Sequence, residues 1–341
     1  VIRTILPWLA ALGAFAALRM RLERRFDFRG KVVLITGGGR GLGLQLAREA
    51  AKRGARIALV ARAQDELDRA AAGLRANGTV CVTATCDVRD GESVAAAFST
   101  VESELGAIDV LVNDAGVIEV GPIDALTFRD YEDAFQTNVL GAIRAVEQVR
   151  VSMQARGSGR IVNIASIGGK IPVPHLLPYC ASKFAFVGYS ECLRTELARY
   201  GIAVTTVIPG LMRTGSPPNA TFAGQPEKEY TLFAPGDSLP FTSVSVQSAA
   251  RAILDGCERG DVQTVVSWQA KAALAAYALA PRTLISLMAL LSRFLPDAGG
   301  TSEHRLGRDS ETALTRSPLD TLGHTASRTQ NELGEPVPAE G

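Results

Sequence analysis

Histidine is scarce: His175, His304 and His324 are the only three in 341 residues, too scattered to assemble a histidine-based metal site. Cysteine is scarce too. There are five, an odd number, and none stands in a C-x-x-C pair, which excludes a disulfide framework and a zinc ribbon and suits a reducing compartment. No charge of one sign dominates. Lys and Arg number 36 against 35 Asp and Glu, so nothing global draws the chain to nucleic acid. The apolar run Ile5–Leu18 falls short of the ~20 residues that span a bilayer. What is present is a hydrophobic fraction of 47% and enough length for one large α/β domain with appendages, or two small domains.

The Ile5–Leu18 run is preceded by Arg3 and followed by Arg19, Arg21, Arg24 and Arg25. It reads as a short membrane anchor that keeps the bulk of the chain on the cytoplasmic side. Two other readings stand beside it. Ala14-Phe15-Ala16 resembles a signal-peptide cleavage site, and the segment could pack as an amphipathic helix on the protein or a second subunit. The resulting division is an apolar segment over 1–25, a dinucleotide-binding and catalytic domain over 26–268, amphipathic helices over 269–295 and a disordered tail over 296–341.

From Lys31 strands and helices alternate. Val32–Ile35 is a β-branched run suited to a strand buried on both faces, and Leu44, Leu46, Ala47, Ala50 and Ala51 recur at helical spacing after a glycine-rich turn. Further strands are expected at 56–61, 80–85, 108–112, 160–165, 203–208 and 262–267. Helices are expected at 64–76, 92–104, 131–154, 179–200 and 246–258. This alternation predicts an α/β fold, a doubly wound, Rossmann-like parallel sheet of about seven strands with apolar helical appendages at both ends. Ligands of such sheets bind outside the strands' carboxyl ends. Residues 211–243 have no clean period and read as a lid over an apolar substrate. Residues 269–295 read as two short amphipathic helices broken at Pro281, packed on the core or a dimer partner or laid on a membrane surface.

Three groups of residues carry chemistry. Thr36-Gly37-Gly38-Gly39-Arg40-Gly41-Leu42-Gly43 joins a strand to a helix, and its glycines and helix N-terminus suit a pyrophosphate. Ser166 stands at a strand's carboxyl end. Tyr179 and Lys183 stand one turn apart on one helix face, where the ammonium favours the phenolate and makes the tyrosine a usable acid or base.

Together with Asp87, Asn113–Gly116, Asn138 and Pro209-Gly210, in this order and spacing, these residues resemble the short-chain dehydrogenase/reductase family over 31 to about 267. The resemblance implies that Tyr179 exchanges a proton with the substrate oxygen. It implies that Lys183 lowers the Tyr179 pKa and holds the nicotinamide ribose, that Ser166 hydrogen-bonds the substrate oxygen, and that Asn138 supports a proton relay through water. Cofactor contacts are implied at Thr36, Gly37, Gly39, Arg40, Gly41, Leu42 and Gly43. More are implied at Arg62, Asp87, Val88, Asn113, Ala115 and Gly116, and at Tyr179, Lys183, Pro209 and Gly210, with Asp87 near the adenine. One departure from the pattern is Asp114, where the family usually has a second Asn. No acid ends the second strand, which reads Val60-Ala61-Arg62, so Arg62 and Arg40 are positioned for a 2′-phosphate and NADP(H) is the expected cofactor.

The implied reaction is hydride transfer between NADP(H) and a carbonyl or alcohol. The apolar segments and Phe222, Tyr230, Phe233 and Phe241 suggest a lipophilic small-molecule substrate of steroid, retinoid, fatty-aldehyde or 3-oxoacyl type, with His175 able to line its pocket. A homo-oligomer through the long helices is also expected, without metal or nucleic acid. A regulatory dinucleotide-binding protein would bind NADPH without turnover. A Tyr/Lys epimerase or dehydratase would show no net change in the cofactor.

Overall fold

The computed structural model describes residues 25–238, 243–301, 303–312 and 327–332, together with Gly13. The expected anchor over Ile5–Leu18 thus lies, apart from Gly13, outside the described residues.

Short aliphatic and β-branched runs build the sheet. They are β1 (Val32–Thr36), β2 (Arg56–Ala61), β3 (Cys81–Thr85), β4 (Val110–Asn113), β5 (Gly159–Ile164), β6 (Ile202–Ile208) and β7 (Gln263–Val265). Their order across the sheet is β7-β6-β5-β4-β1-β2-β3, and every pairing is parallel. The helices are α1 (Gly41–Lys52), α2 (Gln64–Ala76), α3 (Gly91–Leu105), α4 (Phe128–Phe135), α5 (Ala142–Arg156), α6 (Leu177–Leu197), α7 (Pro226–Ser238), α8 (Val246–Arg259), α9 (Trp268–Leu279) and α10 (Pro281–Leu291).

Alternate residues of each strand feed two cores. Val33, Ile35, Ile57 and Leu59 join Leu44, Leu46, Leu67 and Ile253 on one face. Val32, Leu34, Ala58 and Val60 join Phe98, Val101, Val146 and Val149 on the other. Each fully buried Leu or Ile contributes about 1.5–3 kcal/mol relative to exposure, so the sheet's position is set mainly by apolar burial. The register then aligns the carboxyl ends. Thr36, Asn113, Asn163 and Thr206 stand level across four adjacent strands. β1 and β4, whose chain connections depart in opposite directions, meet below the point where ligands of this architecture bind.

Three expectations need correction. The helix expected over 131–154 is broken: α4 passes into a π-helical turn, Gln136–Gly141, before α5 begins. Such a turn is a common feature of functional sites. The aperiodic stretch 211–243 holds α7 and two short strands. Met212–Arg213 pairs with Val244–Ser245, and Thr221–Ala223 lies between Glu119–Val120 and His304–Leu306. The tail expected to be disordered is ordered over 303–312 and 327–332. Pairing with Thr221–Ala223 and burial of Gln330, Asn331 and Glu332 supply contacts that its polar composition conceals.

The break at Pro281 is as expected: α9 and the helical stretch Pro281–Phe294 meet at 115°. Among the described residues no single helix is long and apolar enough to cross a membrane.

Candidate active site

The glycine turn leaves β1 and enters α1. Its shape is fixed from beneath. Thr36 Oγ1 accepts hydrogen bonds from the Asp114 and Ala115 amides, both at 3.2 Å, and donates to the Val112 carbonyl at 3.4 Å. Gly37 adopts φ +72°, and a Cβ there would stand 3.0 Å from the Ala115 backbone. A Cβ at Gly43 would come within 2.4 Å of the Gly37 carbonyl oxygen. Only hydrogen at these positions lets the turn fold back on itself. Its upper side and the N-terminus of α1 thereby face the cleft, an arrangement suited to an anion, with the Gly41 amide engaged by the Gln330 carbonyl at 2.9 Å.

α6 carries Tyr179 and Lys183, and Pro178 in its first turn favours helix initiation there. The buried Lys183 Nζ donates to the Ile164 carbonyl at 3.0 Å and lies 5.7 Å from the Tyr179 ring centroid. Burial pushes the Lys183 pKa down to about 8, and the nearby Asp114 carboxylate opposes that fall. Asp114 itself is pushed up to about 7 by burial, against the pull of Lys183 and the Gly43 amide. The Asp that departs from the family pattern is therefore electrostatically coupled to the lysine.

Ser166 follows β5 and caps a 3₁₀ turn, its Oγ accepting from the Gly168 amide at 3.0 Å. A Cβ on Gly168 would lie 3.3 Å from the Tyr179 ring and 3.5 Å from Ser166 Oγ, so both side chains flank one glycine. Asn138 sits in the π-helical turn and is buried. Its Oδ1 accepts from the Val117 amide at 2.8 Å, and its Nδ2 donates to the Val117 carbonyl at 3.1 Å and to Ser182 Oγ at 2.9 Å. Ser182 in turn donates to the Tyr179 carbonyl at 2.8 Å. Asn138 thus ties the 116–117 segment to the helix bearing the tyrosine.

One cleft of about 720 Å³ receives most of the residues singled out from sequence. It is lined by Gly37, Gly39, Arg40, Gly41 and Leu42, by Arg62, Asp87, Val88, Ala115 and Gly116, and by Ser166, Tyr179, Lys183, Pro209 and Gly210. Thr36, Gly43, Asn113 and Asn138 do not line it; they shape it from behind. Asn113 is buried and gives its amide to Asn163 Oδ1 at 2.9 Å. Asp87 is held below the usual carboxylate range by hydrogen bonds from Arg89. Arg62 is exposed at the rim, and Arg40 is shared between Glu66 at 3.0 Å and Glu332 at 3.3 Å.

Among the other lining residues, Phe233 and His175 are suggested by the sequence, whereas Ile118, Val120 and Leu232 were missed. Ile118, Val120, Leu232, Phe233, Met288, Leu291 and Leu295 form an apolar wall, within which His175 Nδ1 meets Glu229 Oε1 at 2.8 Å. The spacing of Leu284, Met288, Leu291 and Leu295 signals an amphipathic helix, but not which surface it faces. Asn219 and Glu332 also line the cleft, and nothing in the sequence pattern marks either.

A parallel sheet with a glycine turn at the switch point and a Ser, Tyr and Lys gathered beside it defines a dinucleotide-dependent α/β protein. The family model for short chain dehydrogenase matches residues 31–221. The chain belongs to that family of oxidoreductases. It is 34% identical over 240 residues to D-threitol dehydrogenase of Mycolicibacterium smegmatis, covering 68% of this chain and 92% of that one. Actinorhodin polyketide ketoreductase, solved with NADPH, is 34% identical at a TM-score of 0.61 and covers 69% of this chain and 95% of its own. NAD+-bound xylitol dehydrogenase is 27% identical at a TM-score of 0.61, covering 71% and 99%.

Proposed function

We propose that the protein transfers a hydride between NADP(H) and a carbonyl or alcohol carbon of a lipophilic substrate. The observation that carries this reading is the meeting of Ser166, Tyr179 and Lys183 with an apolar wall in one cleft. In the reductive direction the nicotinamide, when bound, would supply the hydride chemistry at the carbonyl carbon. Tyr179 donates its hydroxyl proton to the oxygen, and Ser166 hydrogen-bonds the same oxygen as charge develops there. Lys183 stabilises the tyrosinate that remains, and Asn138 supports reprotonation through water. One carbonyl and one NADPH, with a proton from solvent, give one alcohol and one NADP+. The glycine cradle and the N-terminus of α1 would hold the pyrophosphate, Asp87 the adenine and Lys183 the nicotinamide ribose.

Solved relatives hold NADPH in one case and NAD+ in another, so cofactor choice rests on this chain's own residues. No acid ends β2, and Arg40 and Arg62 both line the cleft, where a guanidinium would suit a 2′-phosphate. The apolar wall favours long-chain or polycyclic carbonyls over polyols. The test follows NADPH absorbance against ketones and aldehydes graded from small and polar to long-chain and steroidal, with NADH as control. Rates that rise with apolar size and prefer NADPH support the reading. Turnover confined to small polar ketones sinks the substrate assignment.

Two extensions concern partners. Exposed Leu140, Val151 and Phe184 near α5 and α6 support a homo-oligomer, which light scattering of the purified chain tests. Exposed Trp268, Leu279, Ile285 and Phe294, beside Arg282 and Arg293, support contact with an anionic membrane surface at the cytoplasmic face. Failure to float with anionic vesicles would remove that second extension.

A further inference from the structure

Residues 327–332 lie on the glycine turn. The Gly41 amide, the first of α1, donates to the Gln330 carbonyl at 2.9 Å. Arg48 donates to the Thr329 carbonyl at 3.1 Å and to Gln330 Oε1 at 3.3 Å. Asn331, at φ +61°, donates to the Gly39 carbonyl at 2.7 Å and the Glu66 carbonyl at 3.0 Å, and accepts from Arg69 Nε at 2.8 Å. The Glu332 carboxylate receives Arg40 Nε at 3.3 Å and Asn219 Nδ2 at 2.6 Å. A Cβ at Gly41 would stand 2.6 Å from Glu332 Oε1, so the carboxylate rests directly against that glycine. Gln330, Asn331 and Glu332 are all at least 96% buried.

These contacts use the groups that a dinucleotide needs. The free amides at the start of a helix, and glycines that let an anion approach, are what bind a pyrophosphate. Here a backbone carbonyl takes the first amide, a carboxylate takes the face of Gly41, and the same carboxylate engages Arg40. One anion excludes another at this spacing.

We propose that residues 327–332 are an autoinhibitory segment that occupies the phosphate end of the cleft and must leave before NADP(H) can bind. The inference rests on the reading of the cleft as a dinucleotide site. One feature opposes permanent seating. Glu332 is buried at a cost to its charged form, which Arg40 and Asn219 partly offset. Departure of the segment frees Arg40 Nε from Glu332 and leaves the pair with Glu66 through Nη1. Cofactor affinity then falls by the fraction of molecules in which the segment is seated. If about nine molecules in ten hold it seated, release strengthens apparent binding about tenfold.

The experiment uses the full chain, with Glu332→Ala and Asn331→Ala as independent variants and NADPH as the probe. Calorimetry is expected to show several-fold to about tenfold tighter NADPH binding in each variant. Hydrogen exchange of the wild-type chain is expected to show amides 327–332 protected alone and exchanging faster with NADPH bound. Slower exchange of these amides with NADPH, together with weaker binding by Glu332→Ala, would mean that the segment closes over bound cofactor, and the proposal fails. Unchanged affinity and unchanged exchange overturn it as well. Absence of NADPH and NADH binding in wild type and both variants would remove the dinucleotide reading and this inference with it.

Discussion

Asn163 offers a direct test of how the sheet holds the tyrosine helix in place. Its side chain is wholly buried on β5. Oδ1 accepts from Asn113 Nδ2 on β4 at 2.9 Å, and Nδ2 donates to Ser190 Oγ on α6 at 2.9 Å. Ser190 Oγ then meets Thr206 Oγ1 on β6 at 2.7 Å. Four side chains thus form one buried polar chain joining three strands to the helix that carries Tyr179 and Lys183. Asn163→Ala removes two hydrogen bonds and strands the Asn113 amide, whose own Oδ1 already lacks a partner among the described residues. An orphaned buried donor costs about 1–3 kcal/mol, and the small cavity adds about 1 kcal/mol. The expected loss is therefore about 2–4 kcal/mol, a large share of the ~5–15 kcal/mol typical of a domain. Urea unfolding at unchanged slope would measure it. Asn113→Ala in the same background removes the stranded donor, so the double variant should lose less than the sum of the two singles. A loss under about 0.5 kcal/mol for Asn163→Ala, or strict additivity in the double variant, would refute the idea that this chain stabilises the site.

Tyr179→Phe should lower kcat about 10²–10⁴-fold with little change in KM; an equal rise in KM instead would mean the hydroxyl serves binding. Gly43→Ala forces a methyl group to 2.4 Å from the Gly37 carbonyl oxygen, where the contact is backbone and cannot swing aside. It should cost about 1–3 kcal/mol and abolish NADPH binding while circular dichroism stays native. Glu119 is buried, and burial with Asp130 and Asp133 nearby pushes its pKa up to about 8. The folded state then binds this proton more tightly than the unfolded chain. Its contribution is full below the unfolded value of 4.5 and is lost as pH rises through about 8. Glu119→Gln should accordingly raise stability at pH 9 and flatten the fall between about 5 and 8; an unaltered pH profile would contradict this. Asp114→Asn removes the carboxylate that supports the Lys183 ammonium, so the alkaline limb of kcat/KM should move to lower pH. A limb that stays put would show that the two groups do not interact in the working enzyme.

Legibility from sequence followed the range of the forces involved. Val32–Ile35 and Val110–Val112 announce strands because the signal is local and apolar. Thr36–Gly43, Ser166, Tyr179 and Lys183 announce a site because each sits at a strand end or on a helix face of fixed period. Asn138 was legible only through the family pattern, since a polar residue within a helix ordinarily faces water; the π-helical turn that buries it leaves no compositional trace. α7 was hidden among the prolines and glycines of 211–243, so Phe233 was legible only as an aromatic in an aperiodic stretch and Leu232 not at all. The segment 327–332 was the least legible. Its residues are polar, and what orders them is a set of partners such as Arg40, Arg48 and Asn219 that lie far away in sequence.

The strand order has a consequence for synthesis on the ribosome. β1, β2 and β3 leave in sequence and can pair as they emerge, but the other edge of β1 waits for β4, and the bonds to Thr36 wait for Asp114 and Ala115. Until then a nascent chain carries an apolar strand with a row of unpaired backbone groups, the kind of edge that recruits foreign strands. A translation pause or truncation between α3 and β4 would leave that edge exposed, one after β5 would move it to β5, whose partner β6 is still to come, and only after β7 is the sheet complete. Products ending near residue 105 should therefore aggregate or engage chaperones far more than products ending near residue 270, which contain all seven strands.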